Sequence, residues 1–326
     1  MNFANVIDWV IPQGNVIKVV DSQNRTIWQK ISPEYAVPFY VENITNSTET
    51  MFIGKTQNNA PTLTIEYSLD KSTWSTLGNT SRDNRLTWSL NPGDKLYLRC
   101  LTNGVWGMGA NDYNYIRGVS KVGGNIMSLL YGSNFNGAED SFPSSTNWQF
   151  SYIFANNTTL LSAADLLLPV KNLTGYCYNG MFNACTSLTA APNLPSTNLA
   201  NGCYENMFGF CSSLVTAPDL PATTLYQGCY ANMFDNCVRL RNVSILPALN
   251  LTTQCYWRMF NQCVSLNNIK CLATNGTIVN TPADNVDPTY QWTNGVASTG
   301  TFYKAAGINW HSGVSGIPSG WTVIEV

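Results

Sequence analysis

The sequence predicts an α+β chain in three parts: an antiparallel β-sandwich in the N-terminal half, a solenoid of stacked repeats, and a C-terminal cap. Three observations predict it. Two cysteine ladders, Cys177, Cys203, Cys229, Cys255 and Cys185, Cys211, Cys237, Cys263, each step by 26 residues without slippage. Upstream of them, apolar residues alternate with period two between clusters of turn residues. The chain of 326 residues, 44% apolar, is long enough for two or three domains with a buried core. The boundaries read as an anchor or hairpin segment over 1–32, a sandwich over 33–145, repeats over 146–275 and a cap over 276–326.

In chain order, VIKVVDSQNRTIW over 16–28 reads as a hairpin, two apolar strands around Asp21-Ser22-Gln23-Asn24. Val16, Val19, Val20 and Trp28 are its candidate anchoring residues, and Ser32-Pro33 marks the boundary behind it. TLTIEYSLDKSTWSTL then alternates Leu63, Ile65 and Tyr67 inward. RLTWSLNPGDKLYLRC does the same with Leu86, Trp88 and Leu90, turns at Asn91-Pro92-Gly93-Asp94, and resumes with Leu96, Leu98 and Cys100. Such a sandwich names no function by itself.

The repeat units are CYNGMFNACTSLTAAPNLPSTNLANG, CYENMFGFCSSLVTAPDLPATTLYQG, CYANMFDNCVRLRNVSILPALNLTTQ and CYWRMFNQCVSLNNIKCLATNG. A degenerate unit precedes them, with Phe154 in the place of Phe182 and two extra residues before Pro169. Cys177, Met181 and Cys185 at i, i+4 and i+8, flanked by Tyr178 and Phe182, predict the apolar stripe of a short helix. Leu188 and the Ala-Pro beyond it predict a short extended segment, and Pro192 and Pro195 a tight connection. One unit cannot bury its own face, so the units must stack.

If the segment is helical, ~12 Å of rise separates the two cysteines of a unit, and stacked helices ~8–10 Å apart separate those of neighbours. Both exceed the ~7 Å reach of a disulfide. The sequence holds a single histidine and no Cys-x-x-Cys pair, so zinc has almost no ligands. Buried free thiols acting as small hydrophobes are the expectation.

The pattern CYxxMFxxCxSLxxAPxLPATxL resembles the repeat of the BspA-like leucine-rich repeat family, found in gut Bacteroidales and in phages that infect them. The tail TNGVASTGTFYKAAGINWHSGVSGIPSGWTV resembles that family's C-terminal cap, and IRGVSKVGGNIMSLLYGSNFNG the segment leading into its repeats. The resemblance covers roughly residues 115–326 and implies a solenoid used for surface attachment and partner binding, with no catalytic residues to carry over. Arg239, Arg241, Val243, Trp257 and Arg258 depart from the repeat at positions expected to be exposed.

Charge excludes one class of partner. Only 11% of residues are charged and the net charge is −2, so no basic patch exists for nucleic acid. No stretch approaches the ~20 apolar residues of a membrane span. Catalysis is not expected: His311 stands in WHSGVSG without a triad partner marked in sequence, and GVWGMGANDY follows no strand and lacks the Lys-Ser/Thr of a phosphate loop. No cofactor or metal is expected.

Met1 opens a segment without the charge and apolar run of a secretion signal, which favours synthesis in the cytoplasm over a removed signal. A binding solenoid made without a signal fits a phage virion: a head-fibre, capsid-decoration or tail-fibre protein, fixed at its N-terminus to capsid or tail proteins. Its repeats would face a host surface glycan or protein. By analogy with fibres it could be a homotrimer. The alternatives are a bacterial cell-surface adhesin and a polysaccharide-cleaving appendage protein. The binding candidates are the varying repeat positions expected to be exposed, Glu205, Phe210, Tyr226, Arg239, Arg241, Trp257 and Arg258, because aromatic rings stack on sugars and guanidinium groups fix carboxylates.

Overall fold

The chain is seen in a computed structural model that describes residues 9–13, 16–20, 26–31, 35–101, 104–275 and 286–326, the first three segments as backbone alone. It is mostly β, with several sheets and none closed. The α part of the expected class is nearly absent: among the described residues the only α-helix is α1, Ser128–Tyr131.

β1 (Trp9–Gln13), β2 (Val16–Val20) and β3 (Thr26–Ile31) pair antiparallel in that order, with Val19 opposite Trp28. The hairpin expected over 16–28 is present, and its turn at Asp21-Ser22-Gln23-Asn24 lies outside the described residues. The side chains of the anchor candidates Val16, Val19, Val20 and Trp28 lie outside them too. β1 was not expected. It carries Pro12, which an edge strand accepts because one side of its backbone needs no ladder partner.

Two larger sheets follow. β5 (Glu49–Lys55), β8 (Leu86–Leu90) and β10 (Asn114–Arg117) form one, in the order β10-β5-β8. β4 (Tyr40–Glu42), β6 (Thr64–Ser68), β7 (Ser75–Asn79), β9 (Lys95–Cys100), β11 (Lys121–Asn125) and β12 (Ser162–Leu167) form the other, ordered β12-β11-β4-β9-β6-β7. Met51, Ile53, Leu90 and Ile116 from the first sheet and Val41, Ile65, Leu96 and Leu98 from the second are buried in one cluster. The alternation read from sequence holds for Leu63, Ile65, Leu96, Leu98 and Cys100, all buried, while Tyr67, Leu86 and Trp88 are half-buried against the core.

The Asn91–Asp94 turn forms, with Asp94 N–H donating to the Asn91 carbonyl at 3.0 Å, Asn91 N–H to Asp94 Oδ2 at 2.8 Å, and Gly93 at φ 83°. It joins strands of different sheets, because β8 pairs with β5 and β9 with β4 and β6. One pair departs from the antiparallel expectation. β11 and β12 run parallel, Lys121 opposite Ser162, so the degenerate first repeat adds a strand to the upstream sheet. The intervening 36 residues, 126–161, give the long crossover that parallel pairing requires.

The helix expected over Cys177–Cys185 does not form. Every fourth residue there has left-handed backbone: Tyr176 (φ 55°), Gly180 (57°) and Ala184 (58°), then Gly202, Asn206 and Phe210, Gly228, Asn232 and Asn236, Gln254, Arg258 and Gln262. An α-helix has no place for that conformation. The backbone makes consecutive turns. Asn179 N–H donates to Tyr176 O (3.1 Å) and Met181 N–H to Tyr178 O (3.2 Å), as in β-turns. The N–H groups in between leave the unit: Tyr178 donates to Cys203 O (3.0 Å), Gly180 to Glu205 O (2.8 Å) and Phe182 to Met207 O (2.9 Å). Half of the amides close turns and half tie each unit to the next, so every unit depends on its neighbour.

With period four, residues at i, i+1, i+4, i+5 and i+8 point inward, which is the Cys-Tyr, Met-Phe, Cys pattern. The tyrosines stack as Tyr178, Tyr204, Tyr230 and Tyr256, with centroids 5.8–6.1 Å apart. The phenylalanines stack as Phe154, Phe182, Phe208, Phe234 and Phe260 at 5.3–5.8 Å. That spacing is far below the ~8–10 Å of packed helices and close to the ~4.8 Å between strands. Phe39 extends the Phe column into the upstream sheets (5.8 Å), and Trp292 ends both columns against Tyr256 (5.9 Å) and Phe260 (6.3 Å).

All ten cysteines are free and buried. The second ladder also satisfies backbone acceptors: the thiols of Cys185, Cys211, Cys237 and Cys263 donate to the carbonyls of Phe154, Phe182, Phe208 and Phe234 at 3.1–3.2 Å. Burial pushes their thiol pKa values upward, so they stay protonated as donors.

Beyond the fourth unit, 288–295 makes another turn ribbon, accepting from Tyr256, Arg258, Phe260 and Gln262 N–H groups. A parallel sheet of β13 (Asn268–Cys271), β14 (Thr301–Lys304) and β15 (Thr322–Glu325) closes this end.

Candidate functional site

If five positions of each nine-residue ribbon face inward, the remaining side chains make an outward face in columns. One column runs Asn179, Glu205, Ala231, Trp257 and, through the irregular ribbon, Tyr290. The next holds Gly180, Asn206, Asn232 and Arg258; a third holds Asn183, Gly209, Asp235, Asn261 and Asn294; a fourth holds Ala184, Phe210, Asn236 and Gln262.

The structure therefore brings four of the seven candidates, Glu205, Phe210, Trp257 and Arg258, onto one face. Tyr226 is exposed three residues ahead of its ribbon, where its carbonyl accepts from Cys229 N–H (3.2 Å). Arg239 and Arg241 are exposed beyond the ribbon's far end, on the segment that pairs with the preceding unit through the Thr216–Asn242 bridge. They do not join the other four.

The expectation that all seven are exposed fails for three of them. Glu205, Trp257 and Arg258 are half-buried, because units stacked about 5–6 Å apart press outward side chains against the next unit. Glu205 accepts from Asn179 Nδ2 at 3.2 Å, and burial pushes its carboxyl pKa up to about 7. Trp257 stacks on Tyr290 at 6.0 Å and 14°. Arg258 lies beside the indole, 5.5 Å from its centroid, and reaches Asp235 Oδ2 at 3.5 Å.

Asp235 is the hub of the face and was not anticipated. Its Oδ1 accepts from Asn261 Nδ2 (2.6 Å) and Asn236 Nδ2 (2.9 Å), Asn294 Nδ2 continues the ladder to Asn261 Oδ1 (2.7 Å), and the Asp235 carbonyl accepts from Phe210 N–H (2.7 Å). Between the Glu205 carboxyl and the Trp257 indole stands Ala231, the smallest side chain of its column, which leaves a step in the face. Several polar atoms of this face are buried without a hydrogen-bond partner among the described residues: Trp257 Nε1, Arg258 Nε and Asn179 Oδ1. Phe210 is 48% exposed while held at φ 63°, a conformation that disfavours an aromatic residue.

At the upstream end, Tyr152 stacks on Tyr113 (5.1 Å) and lies across Gly180, where a Cβ would meet its ring at 2.2 Å. Burial, with the Glu205 charge nearby, raises the Tyr152 pKa to about 12. The face thus runs from tyrosines through a protonatable acid to a tryptophan–arginine pair, with a row of amides alongside. Aromatic faces, amides and a carboxyl are what a polyhydroxylated ligand needs.

Elsewhere, 104–113 is a loop bridged between Gly107 and Tyr113, and His311 is half-buried with its carbonyl accepting from Ile317 N–H (3.0 Å). No group of metal-ligating side chains occurs among the described residues, and no helix there is long and apolar enough to cross a membrane. The chain matches no protein-family model, no curated protein and no solved structure, so its resemblance to the BspA-like repeats stands on the repeat residues themselves.

Proposed function

We propose that this chain is a binding protein whose repeats form a BspA-type leucine-rich repeat solenoid, carried on an N-terminal antiparallel sandwich, and that the outward ribbon face contacts a host surface glycan. We place it in a phage virion, as a head-fibre, capsid-decoration or tail-fibre component attached through its N-terminal sheet to other virion proteins. One observation carries the binding reading. On the ribbon face, a half-buried tryptophan and arginine keep N–H groups unpaired among the described residues, while Phe210 is held exposed at a backbone cost of about 1 kcal/mol. Side chains held at such a cost support a role in binding. Free thiols at this density support folding in a reducing compartment, which fits a protein made in a bacterial cytoplasm.

Binding of the full chain and of Trp257→Ala to host cells and to purified host polysaccharide tests the reading. The variant should bind about tenfold more weakly, equivalent to about 1.4 kcal/mol, with a melting temperature lowered by only a few degrees through the lost stacking on Tyr290. Unchanged binding removes Trp257 from the site, a large fall in melting temperature makes it core, and release of reducing ends points to cleavage. Peptide mass spectrometry of density-purified phage particles beside washed host envelopes tests the location. Recovery only in the envelopes leaves the cell-surface adhesin.

A further inference from the structure

A second concave site lies on the outer face of the six-stranded sheet, away from the ribbons. The register sets it out in two rows. Asp165, Gly123, Tyr40 and Tyr97 stand opposite one another across β12, β11, β4 and β9. Lys121, Glu42 and Lys95 form the neighbouring row. Gly123 is the gap in the first row: a Cβ there would meet the Tyr40 hydroxyl at 2.4 Å, so only glycine lets Tyr40 lie across the sheet and donate to Asp165 Oδ2 at 3.2 Å. Tyr97 meets Tyr40 edge-on at 5.8 Å and keeps part of its ring open to solvent. The groove over these rings encloses about 440 Å³, walled by Val37, Ala164 and Leu167. That volume falls within the ~300–1,000 Å³ of small-ligand sites.

The charges of the groove do not cancel. Asp165 is held by Lys121 at 2.8 Å, and Glu42 by Lys121 at 3.1 Å and Lys95 at 3.3 Å, so both carboxylates are matched. The Lys121 ion pair keeps the Asp165 pKa below the usual carboxylate range, and burial with the Asp165 charge lifts Tyr40 to about 12, so neither titrates near neutrality. Lys71 is the third ammonium. It sits on the exposed turn between β6 and β7, 5.7 Å from the Tyr97 centroid, and forms no ion pair among the described residues. A part-exposed aromatic ring with one unmatched ammonium over it suits a ligand whose anionic group meets the ammonium while an apolar C–H face packs on the ring beside it.

We propose that this groove binds an acidic saccharide, with a sugar ring on Tyr97, its carboxylate on Lys71 and its hydroxyls toward Lys95 and Asp165. The site is independent of the ribbon face: its strands come from the upstream sheets, and only β12 belongs to the repeats.

The test uses the full chain, with digalacturonate as probe and its methyl ester as the uncharged control, read by calorimetry and by amide shifts. Digalacturonate should bind saturably and move the signals of Lys71, Tyr97 and Gly124. The ester and Lys71→Ala should each weaken binding about tenfold. Lys71 is exposed, so its variant should keep the parent melting temperature. Equal binding of acid and ester, or no shift of these signals at millimolar probe, overturns the proposal. Loss of binding in Trp257→Ala with none in Lys71→Ala moves the acidic ligand to the ribbon face and overturns it equally.

Discussion

Replacing Glu205 with glutamine separates the electrostatics of the ribbon face from its packing. Burial raises the carboxyl from 4.5 to about 7, so the folded chain holds this proton to higher pH than the unfolded chain does. The sign follows from linkage: the unstrained form is the protonated one, stability is greatest below the unfolded value, and it is lost as pH rises through the folded value. Fully expressed, a shift of that size is worth about 3 kcal/mol. The side chain is only half-buried, so solvent screening reduces this to roughly 1–2 kcal/mol. Glutamine is isosteric, retains an oxygen for Asn179 Nδ2 and carries no charge. Melting temperatures of both proteins at pH 4.5 and pH 8 give the difference, in which all other titrating groups cancel. Glu205→Gln should match the parent at the acid end and exceed it by a few degrees at the alkaline end. Parallel curves would show that the carboxylate is solvated after all, and the step beside Ala231 would lose its protonatable wall.

Three further substitutions probe the ribbon. Gly180→Val puts a β-branched side chain at φ 57° and into the Tyr152 ring, and should cost about 3 kcal/mol or more in denaturant unfolding; a cost below 1 kcal/mol would mean that Tyr152 moves aside freely. Cys237→Ala deletes a thiol hydrogen-bonded to the Phe208 carbonyl and leaves a small cavity, for a loss of about 1–2 kcal/mol; an unchanged unfolding midpoint would make that thiol contact incidental. Phe210→Asn installs the residue that the next unit carries at Asn236, also left-handed at φ 60°, and should raise stability by about 0.5–1 kcal/mol while weakening polysaccharide binding; a gain in stability with intact binding would remove Phe210 from the site.

The spacing of Cys177, Met181 and Cys185 is compatible with two backbones, and this explains why the repeats were legible as a stack but not as turns. Four residues overshoot a helical turn by about 40°, so an i, i+4, i+8 stripe still covers one face of a helix. The inward residues are the same in either case, which is why the buried columns, the free thiols and the need for stacking could be read from sequence. The discriminating signal lay in other residues. Gly180, Asn206 and Asn232 fill one column, Gly202 and Gly228 another, and these are the residue types that accept left-handed backbone. Read as a column they argue against a helix, although Arg258, Tyr176 and Gln254 interrupt the columns; read along the chain they pass for ordinary polar positions.

The same distinction governs the candidate site. Glu205, Trp257 and Arg258 stood out because they break a repeating column, and the ribbon then placed them together. Asp235 was hidden because asparagine, glycine and aspartate at Asn183, Gly209 and Asp235 look like surface variation until Asn261 and Asn294 are seen to bond through it. Tyr290 was hidden because its ribbon lies 33 residues beyond Trp257, where the period of 26 has already failed. Arg239 and Arg241 were grouped with the site by composition alone; they lie two and four residues past Cys237, beyond the end of the ribbon, on the segment that pairs with the preceding unit. At the left-handed positions Phe210 and Arg258, bulk is retained against a local cost, as it also is at Tyr176, Gln254 and Gln262. The mark of a ligand is therefore to be sought where left-handed backbone coincides with an outward aromatic or cationic side chain, as at Phe210 and Arg258.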